Sequence, residues 1–235
     1  MEKKIWGSNN TNFLKIIGIL TMIIDHIGKI FFYKNINYQV IGRITFPLFA
    51  YCLVVGFLNT KNFNKYLKRL IVLSFISQPF YIIAFNKDYF DLNIFFTLWL
   101  GLISLSYIRE KKWLLLLFVY IISYAFVIDY GIYGILLINV IYLTRKRKKV
   151  ALLTLSALFI SLLFINYNHL LYDILRNEKI RFIPRNSSLN IFGIFVLPII
   201  FLINKSFPKI NKYFFYAFYP LHLLILFAIN YLTID

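Results

Sequence analysis

Apolar residues run along this chain in long blocks, each cut by a short polar stretch rich in Asn, Lys or Arg. A helix crossing a hydrocarbon core takes roughly 20 apolar residues, fewer where polar groups face a cavity. Blocks of that kind fall near 13–33, 39–58, 67–85, 92–108, 113–128, 130–144, 150–166, 190–204 and 213–232. The fifth and sixth are short. They stay separate because Asp129-Tyr130-Gly131 between them is turn-like and would place a charge in lipid. The predicted fold is all-α: one polytopic transmembrane helical bundle of nine spans over 1–235, with 167–189 as a longer outer loop forming a partly helical cap.

Loop charge fixes the expected orientation. With nine spans, one side receives Lys3, Lys4, Lys61, Lys65, Lys68, Arg69, Arg109, Lys111, Lys112, the run 145–149, Lys205, Lys209 and Lys212, which is 17 basic residues. The other side receives Lys34, Lys87, Arg176, Lys179, Arg181 and Arg185. Positive loops stay inside, so the N-terminus is expected in the cytoplasm and the C-terminus outside. Fusing the fifth and sixth spans would put the run 145–149 on the wrong face.

Composition agrees with a membrane chain. Of 235 residues, 60% are hydrophobic and 20% aromatic, with mean hydropathy +0.73, beyond what a water-soluble surface tolerates. The net charge of +17 would suit nucleic acid in a soluble protein, but here it reads as basic loops against anionic lipid, with no nucleic-acid partner. Richness in Ile, Lys, Asn, Phe and Tyr favours a bacterial source, hence a multi-pass protein of the cytoplasmic (inner) membrane. The first apolar block shows no cleavage site for a signal peptide. Cys52, the single cysteine, reads as a packing residue. Three scattered histidines make no metal site, and the phosphate-binding glycine motifs and the G-x-S-x-G elbow are absent. Pro47, Pro79, Pro198 and Pro220 lie within spans and predict kinks there.

The candidate chemistry lies in charges placed where lipid should be. Lys15, Lys29 and Arg43 remain within spans once the loops are set aside, and Lys15 is close enough to an end to snorkel. On the first helix Gly18, Asp25 and Lys29 share a line at spacings of seven and four, with Met22 and His26 beside it. One reading is an Asp25–Lys29 ion pair that neutralises itself, with His26 merely hydrogen-bonded. The other is a general base, His26, oriented by Asp25. Adjacent helical residues point about 100° apart, so Asp25 would reach sideways or act through water or Tyr130. Arg43 at the opening of the second span, Gln78, Asp91, Asn93, Thr97, Asp129 and His222 converge on the same outer half in this topology. His222 is the rival base.

Taken in order, several segments resemble the TraX family, whose namesake is the conjugative-pilin N-acetyltransferase. They are Leu14-Lys15-Ile16-Ile17 through Thr21-Met22-Ile23-Ile24-Asp25-His26-Ile27-Gly28, then Gly42-Arg43-Ile44-Thr45-Phe46-Pro47-Leu48-Phe49-Ala50, Asn93-Ile94-Phe95-Phe96-Thr97-Leu98, Asp129-Tyr130-Gly131 with Gly134, and Tyr219-Pro220-Leu221-His222. The resemblance spans the first 140 residues and the last helix. Ser77-Gln78-Pro79 departs from it, lacking an acidic residue near the proline. The resemblance implies an integral-membrane acyltransferase using acetyl-CoA, without metal, on an exported peptide, pilin-like protein or envelope molecule. His26 and Asp25 would be catalytic. Lys29, Arg43, Gln78, Asn93, Thr97, Asp129, Tyr130 and His222 would bind substrate, with Lys29 or Arg43 supplying the cation for the oxyanion. The nucleotide end of the donor is expected near loops 61–69 and 145–149. A transporter or a non-catalytic scaffold for export or assembly remains the alternative; missing internal repeats weigh against the transporter.

Overall fold

The computed structural model describes residues 5–6, 11–175, 188–202, 208 and 210–234, with backbone alone for 163–175, 188, 212 and 234. The described residues are almost wholly helical: α1 Thr11–Phe31, α2 Ile36–Gly42, α3 Thr45–Asn59, α4 Phe63–Phe85, α5 Ile94–Arg109, α6 Trp113–Ala125, α7 Gly131–Leu143, α8 Lys148–Leu175, a 3-10 segment Ser188–Phe195, α9 Val196–Leu202 and α10 Lys212–Ile234. Three of these helices are long and apolar enough to cross a membrane: Ile36–Asn59, Phe63–Phe85 and Tyr213–Thr233. Ile94–Arg109, Trp113–Ala125, Gly131–Leu143 and Leu189–Leu202 are apolar but shorter.

Local chemistry explains most boundaries. Asn35, Asn62 and Asn93 cap α2, α4 and α5, each side chain accepting a free amide of the first turn. Asn86 ends α4 in the left-handed conformation. The second span breaks at Arg43-Ile44 because Pro47 has no N–H for the Arg43 carbonyl, and its ring crowds that position. Arg43 lies seven residues, about two turns, below the start of this span at Ile36, not at its opening. Of the four prolines, Pro79 and Pro220 are helix-interior, whereas Pro47 and Pro198 fall in first turns, where little bonding is lost. The loop expected at 167–189 begins later than the sequence suggests, since α8 runs on to Leu175. Residues 176–187, with the four outer basic residues, lie outside the described set, as do Lys3, Lys4, Lys205 and Lys209.

The core centres on α3, which is apolar all round and packs against α1, α5, α7 and α9. Phe46, Leu48, Ala50, Tyr51 and Val54 are fully enclosed. By contrast α6 exposes Trp113, Leu114, Leu117, Phe118, Ile121 and Tyr124 along its outer side. A water-soluble protein rarely tolerates such a surface, while lipid solvates it without penalty. Lipid offers little hydrophobic drive between helices, so close approach matters. A methyl at Gly28 would run into Tyr38 of α2, and one at Gly134 into Thr97, Phe46 and Tyr130. Polar links add cohesion: Ser104 donates to the Asn139 side-chain oxygen at 2.6 Å, and Asn139 donates to the Tyr120 hydroxyl at 2.7 Å.

Contacts between helix ends fix which ends of the elements lie together. At one end the Leu92 backbone bonds Val127 and Asp129, joining the entry to α5 with the α6–α7 turn. At the other, the Trp6 indole donates to the Thr144 carbonyl, Lys148 donates to the Phe201 carbonyl, and Arg109 lies over Phe57. Helices α1 and α10 run side by side in the same direction, with Lys15 over the Phe215 ring at one end and His26 against His222 near the other.

Candidate functional site

Two histidines from opposite ends of the chain meet between α1 and α10. His26 Nδ1 lies 2.7 Å from His222 Nε2, and the two rings meet edge to edge, nearly coplanar, with centroids 5.0 Å apart and 12° between planes. His222 Nδ1 lies 2.9 Å from the Phe218 carbonyl, one turn earlier. A carbonyl only accepts, so His222 Nδ1 carries the proton and, in the neutral ring, Nε2 is the acceptor. His26 Nδ1–H then donates to it. This assignment leaves His26 Nε2 with a bare lone pair. Each histidine is 7% exposed.

Asp25 does not orient His26 in this arrangement. Its Oδ2 stands 3.9 Å from His26 Nε2, beyond hydrogen-bonding distance, and accepts instead from Lys29 Nζ at 2.5 Å. The side chain within hydrogen-bonding distance of His26 is His222, and Asp25 pairs with Lys29. The reason is the one that limited it on the helix: neighbouring residues diverge, whereas a residue four positions on stacks directly above. Asp25 Oδ1 and Arg43 Nη2 are both buried without a hydrogen-bond partner and lie 3.8 Å apart. Arg43 is otherwise held by the Gln39 carbonyl and the Asn190 side-chain oxygen. A methyl at Gly42 would fall on the Asp25 carboxyl group, so the bare backbone there admits the acid.

A cavity of about 550 Å³ connects this cluster to the opposite end of the bundle. Asp25, His26, Lys29, Asp129 and Tyr130 line one end. Met22, Phe46, Phe49, Phe95 and Leu98 line its apolar middle, and Lys15, Asn59, Thr60, Tyr66, Arg69 and Tyr216 the far end. Tyr130 takes a left-handed backbone (φ 63), uncommon for a bulky residue. Its ring stacks on Phe46 at 4.2 Å, and Thr97 Oγ1 bonds the Asp129 carbonyl just before it.

The remaining candidates support the site from behind. Gln78 donates to the Asp91 carbonyl at 2.6 Å and accepts from both the backbone and side chain of Asn93, at 3.1 and 2.7 Å. Asn93 also donates to the Ser74 carbonyl and caps α5. Gln78, Asn93 and Thr97 thus tie α4 and α5 to the α6–α7 turn, and none of them lines the cavity. Arg43 and His222 also stand outside its wall, each against a residue that forms it. Sequence reasoning set Lys15 aside as a snorkelling end residue, yet it lines the far end. Its place was legible, because residues 15, 19, 22 and 26 share one helical stripe and all four line the cavity. Among the described residues no three His, Cys, Asp or Glu side chains stand close enough to hold a metal ion.

The chain is 31% identical to a protein of Dichelobacter nodosus named "Probable fimbrial assembly protein FimC, serogroup H1", over 91% of this chain and 92% of that one. It is also 31% identical to the uncharacterized protein RP591 of Rickettsia prowazekii (strain Madrid E), over 46% of this chain and 42% of that one. No solved structure matches. The family described as TraX protein matches residues 10–230, which takes in every residue lining the cavity, and the chain therefore belongs to the TraX family.

Proposed function

We propose that this chain is an acetyl-CoA-dependent acetyltransferase of the cytoplasmic membrane. It transfers acetyl to an amine or hydroxyl of an exported peptide, pilin-like protein or envelope molecule. The observation that carries this reading is the bare Nε2 of His26 in the wall of a cavity whose far end is basic. The fimbrial assembly name of the Dichelobacter relative supports an acceptor of the pilus-subunit kind. The nine passes are α1, α2–α3, α4, α5, α6, α7, α8, the 3-10 segment with α9, and α10. The N-terminus is cytoplasmic, so the basic mouth faces the compartment that holds acetyl-CoA.

In this mechanism His26 Nε2 takes the proton of the acceptor N–H or O–H as nitrogen or oxygen attacks the thioester carbonyl carbon. The oxyanion forms beside Lys29, which has donors left over from its bond to Asp25. Collapse re-forms the carbonyl and breaks the C–S bond, and the imidazolium returns its proton to the departing sulfur. His222 holds the His26 tautomer throughout. Arg43 acts from behind Asp25, 3.8 Å from its second oxygen, holding the acid and with it Lys29 in place. The cavity admits a thin chain from the basic mouth and keeps bulk water from the thioester.

The test is direct. Purified protein in detergent, given radiolabelled acetyl-CoA, should release CoA or label itself or an added amine. Absence of all three refutes the reading. Substrate flux into liposomes without chemistry would identify a transporter instead.

A further inference from the structure

His26 Nε2 has room for one proton, and in acetyl transfer that proton returns to the departing sulfur. An amine acceptor brings one more. Free α-amino groups titrate at about 8 and lysine side chains at about 10, so at neutral pH such a nitrogen arrives as ammonium, without the lone pair that attacks.

Asp129 stands where the extra proton is met. It lines the same end of the cavity as His26 and Lys29. Its backbone is spent at the entry to α5: the N–H donates to the Leu92 carbonyl at 2.9 Å, and the carbonyl accepts from Thr97 Oγ1. The carboxylate is left, and among the described residues it has neither a hydrogen bond nor an ion pair. Asp25, Lys29, Arg43 and Lys87, with the phenols of Tyr81, Tyr130 and Tyr219, are the titratable groups around it. Each of those cations faces another acid: Lys29 and Arg43 stand 2.5 and 3.8 Å from Asp25, and Lys87 stands 3.6 Å from Asp91. The turn that presents Asp129 is strained, since Tyr130 and Gly131 follow with φ of 63° and 42°. Left-handed backbone at a bulky residue persists only where its surroundings impose it, and it concentrates at functional sites.

Tyr219 adds a second oxygen. Its ring lines the cavity, meeting His26 edge-on at 6.4 Å and Phe95 at 5.0 Å. The residue is buried, and no described residue bonds its hydroxyl. This end of the cavity therefore offers three acceptors without donors: His26 Nε2, the Asp129 carboxylate and the Tyr219 oxygen. An ammonium carries three N–H donors, whereas a hydroxyl carries one and would leave two acceptors unmet.

We propose that Asp129 binds the acceptor and is the second proton acceptor of the site, so that the chain takes primary amines in preference to hydroxyls. The inference rests on the acetyltransferase reading and narrows its acceptor. The ammonium sets one N–H on Asp129, one on Tyr219 and one toward His26 Nε2. Asp129 takes the first proton and passes it to water at its half-buried turn. Burial in that turn, outside α6 and α7, lifts the Asp129 carboxyl above the ordinary carboxylate range, closer to the ammonium it relieves. The freed lone pair attacks the thioester carbonyl carbon. His26 takes the second proton and gives it to sulfur as the C–S bond breaks. Each turnover converts ammonium and acetyl-CoA into amide, free thiol and one released proton.

The experiment gives purified protein in detergent labelled acetyl-CoA and a short peptide with a free amine, or the same peptide with a hydroxyl in its place. Asp129→Asn should lower kcat/KM for the amine about ten-fold or more at neutral pH, with KM for acetyl-CoA little changed. Expressed as a ratio to the intact chain, that loss should shrink as pH approaches the pKa of the amine, because free amine needs no second acceptor. The ratio cancels the titrations that both chains share. Asp129→Glu should keep more activity than Asn, and Tyr219→Phe should lose less than either loses at Asp129. A loss of one size at every pH overturns the proposal, as does no loss, or equal transfer to the hydroxyl peptide by the intact chain. CoA release without transfer to either peptide overturns it too, and leaves the enzymatic reading standing. No acetyl chemistry of any kind refutes that reading, and the role of Asp129 with it.

Discussion

His26 Nδ1 and His222 Nε2, 196 residues apart in sequence, lie 2.7 Å apart between α1 and α10. Because His222 spends its own proton on the Phe218 carbonyl, the bond has one direction for neutral rings and leaves the bare nitrogen of His26 in the cavity wall. The two histidines are therefore unequal: one faces the cavity, and the other sets its tautomer.

His26→Ala is expected to lower kcat by roughly two to four orders of magnitude, the usual span for acid–base catalysis. Its melting temperature in detergent should fall, since the enclosed ring and its bond to His222 are lost, while the chain stays folded at the assay temperature. Near-normal turnover by this folded variant would remove His26 as the base.

In the proposed mechanism His222 acts through His26, so its variants should divide by hydrogen-bonding capacity rather than by size. His222→Gln keeps an acceptor for His26 Nδ1–H, and His222→Phe keeps the ring but not the acceptor. Steady-state kinetics should show kcat retained better by Gln than by Phe, with KM for acetyl-CoA little changed in both. The reverse order would mean that His222 only fills space.

The Asp25–Lys29 bond at 2.5 Å tests the reading in which the pair merely neutralises itself. Lys29→Met strands a buried acid and Asp25→Asn strands a cation, so each should lower thermal stability. The double variant should regain only part of that stability, since buried Arg43 still lacks its acid, and should not regain turnover, because the cation beside the oxyanion is gone. Recovery of both would make the pair structural only.

Gly42→Ala places a methyl on the Asp25 carboxyl group and should cost about 1–3 kcal/mol, together with turnover. Gly101→Ala meets the tip of Ile138, a flexible side chain that can turn aside, and should be milder in the same thermal assay. If the two variants melt alike, the packing of Asp25 on Gly42 is not as tight as described.

Membrane orientation is open to chemical labelling once Cys52 is replaced. Cysteines at Lys111 and Arg147 should be shielded from an impermeant thiol reagent in intact cells, and one at Asn186 should react. Labelling at 147 from outside would invert the bundle and put the basic mouth on the wrong face for acetyl-CoA.

The sequence by itself determined the helices and their surroundings. Apolar blocks with Asn, Lys and Arg between them mark where chain enters and leaves the bundle, because hydrocarbon admits backbone only in hydrogen-bonded form. The turn at Asp129-Tyr130-Gly131 was legible from its residues, and the polar face of α1 from helical spacing, since both depend on neighbours within a few positions. Gln78 and Asn93 show where that reasoning stopped. A buried amide looks the same in sequence whether it meets a substrate or another amide, and only the folded chain shows that these two satisfy each other. The break at Arg43, the meeting of Arg43 with Asp25, and the choice of His222 over Asp25 as the partner of His26 were likewise decided by tertiary structure. So was the continuity of the cavity from Arg69 to His26. Each depends on helices brought together from distant parts of the chain, and a periodic pattern gives the face a residue occupies but not which residue will stand opposite it.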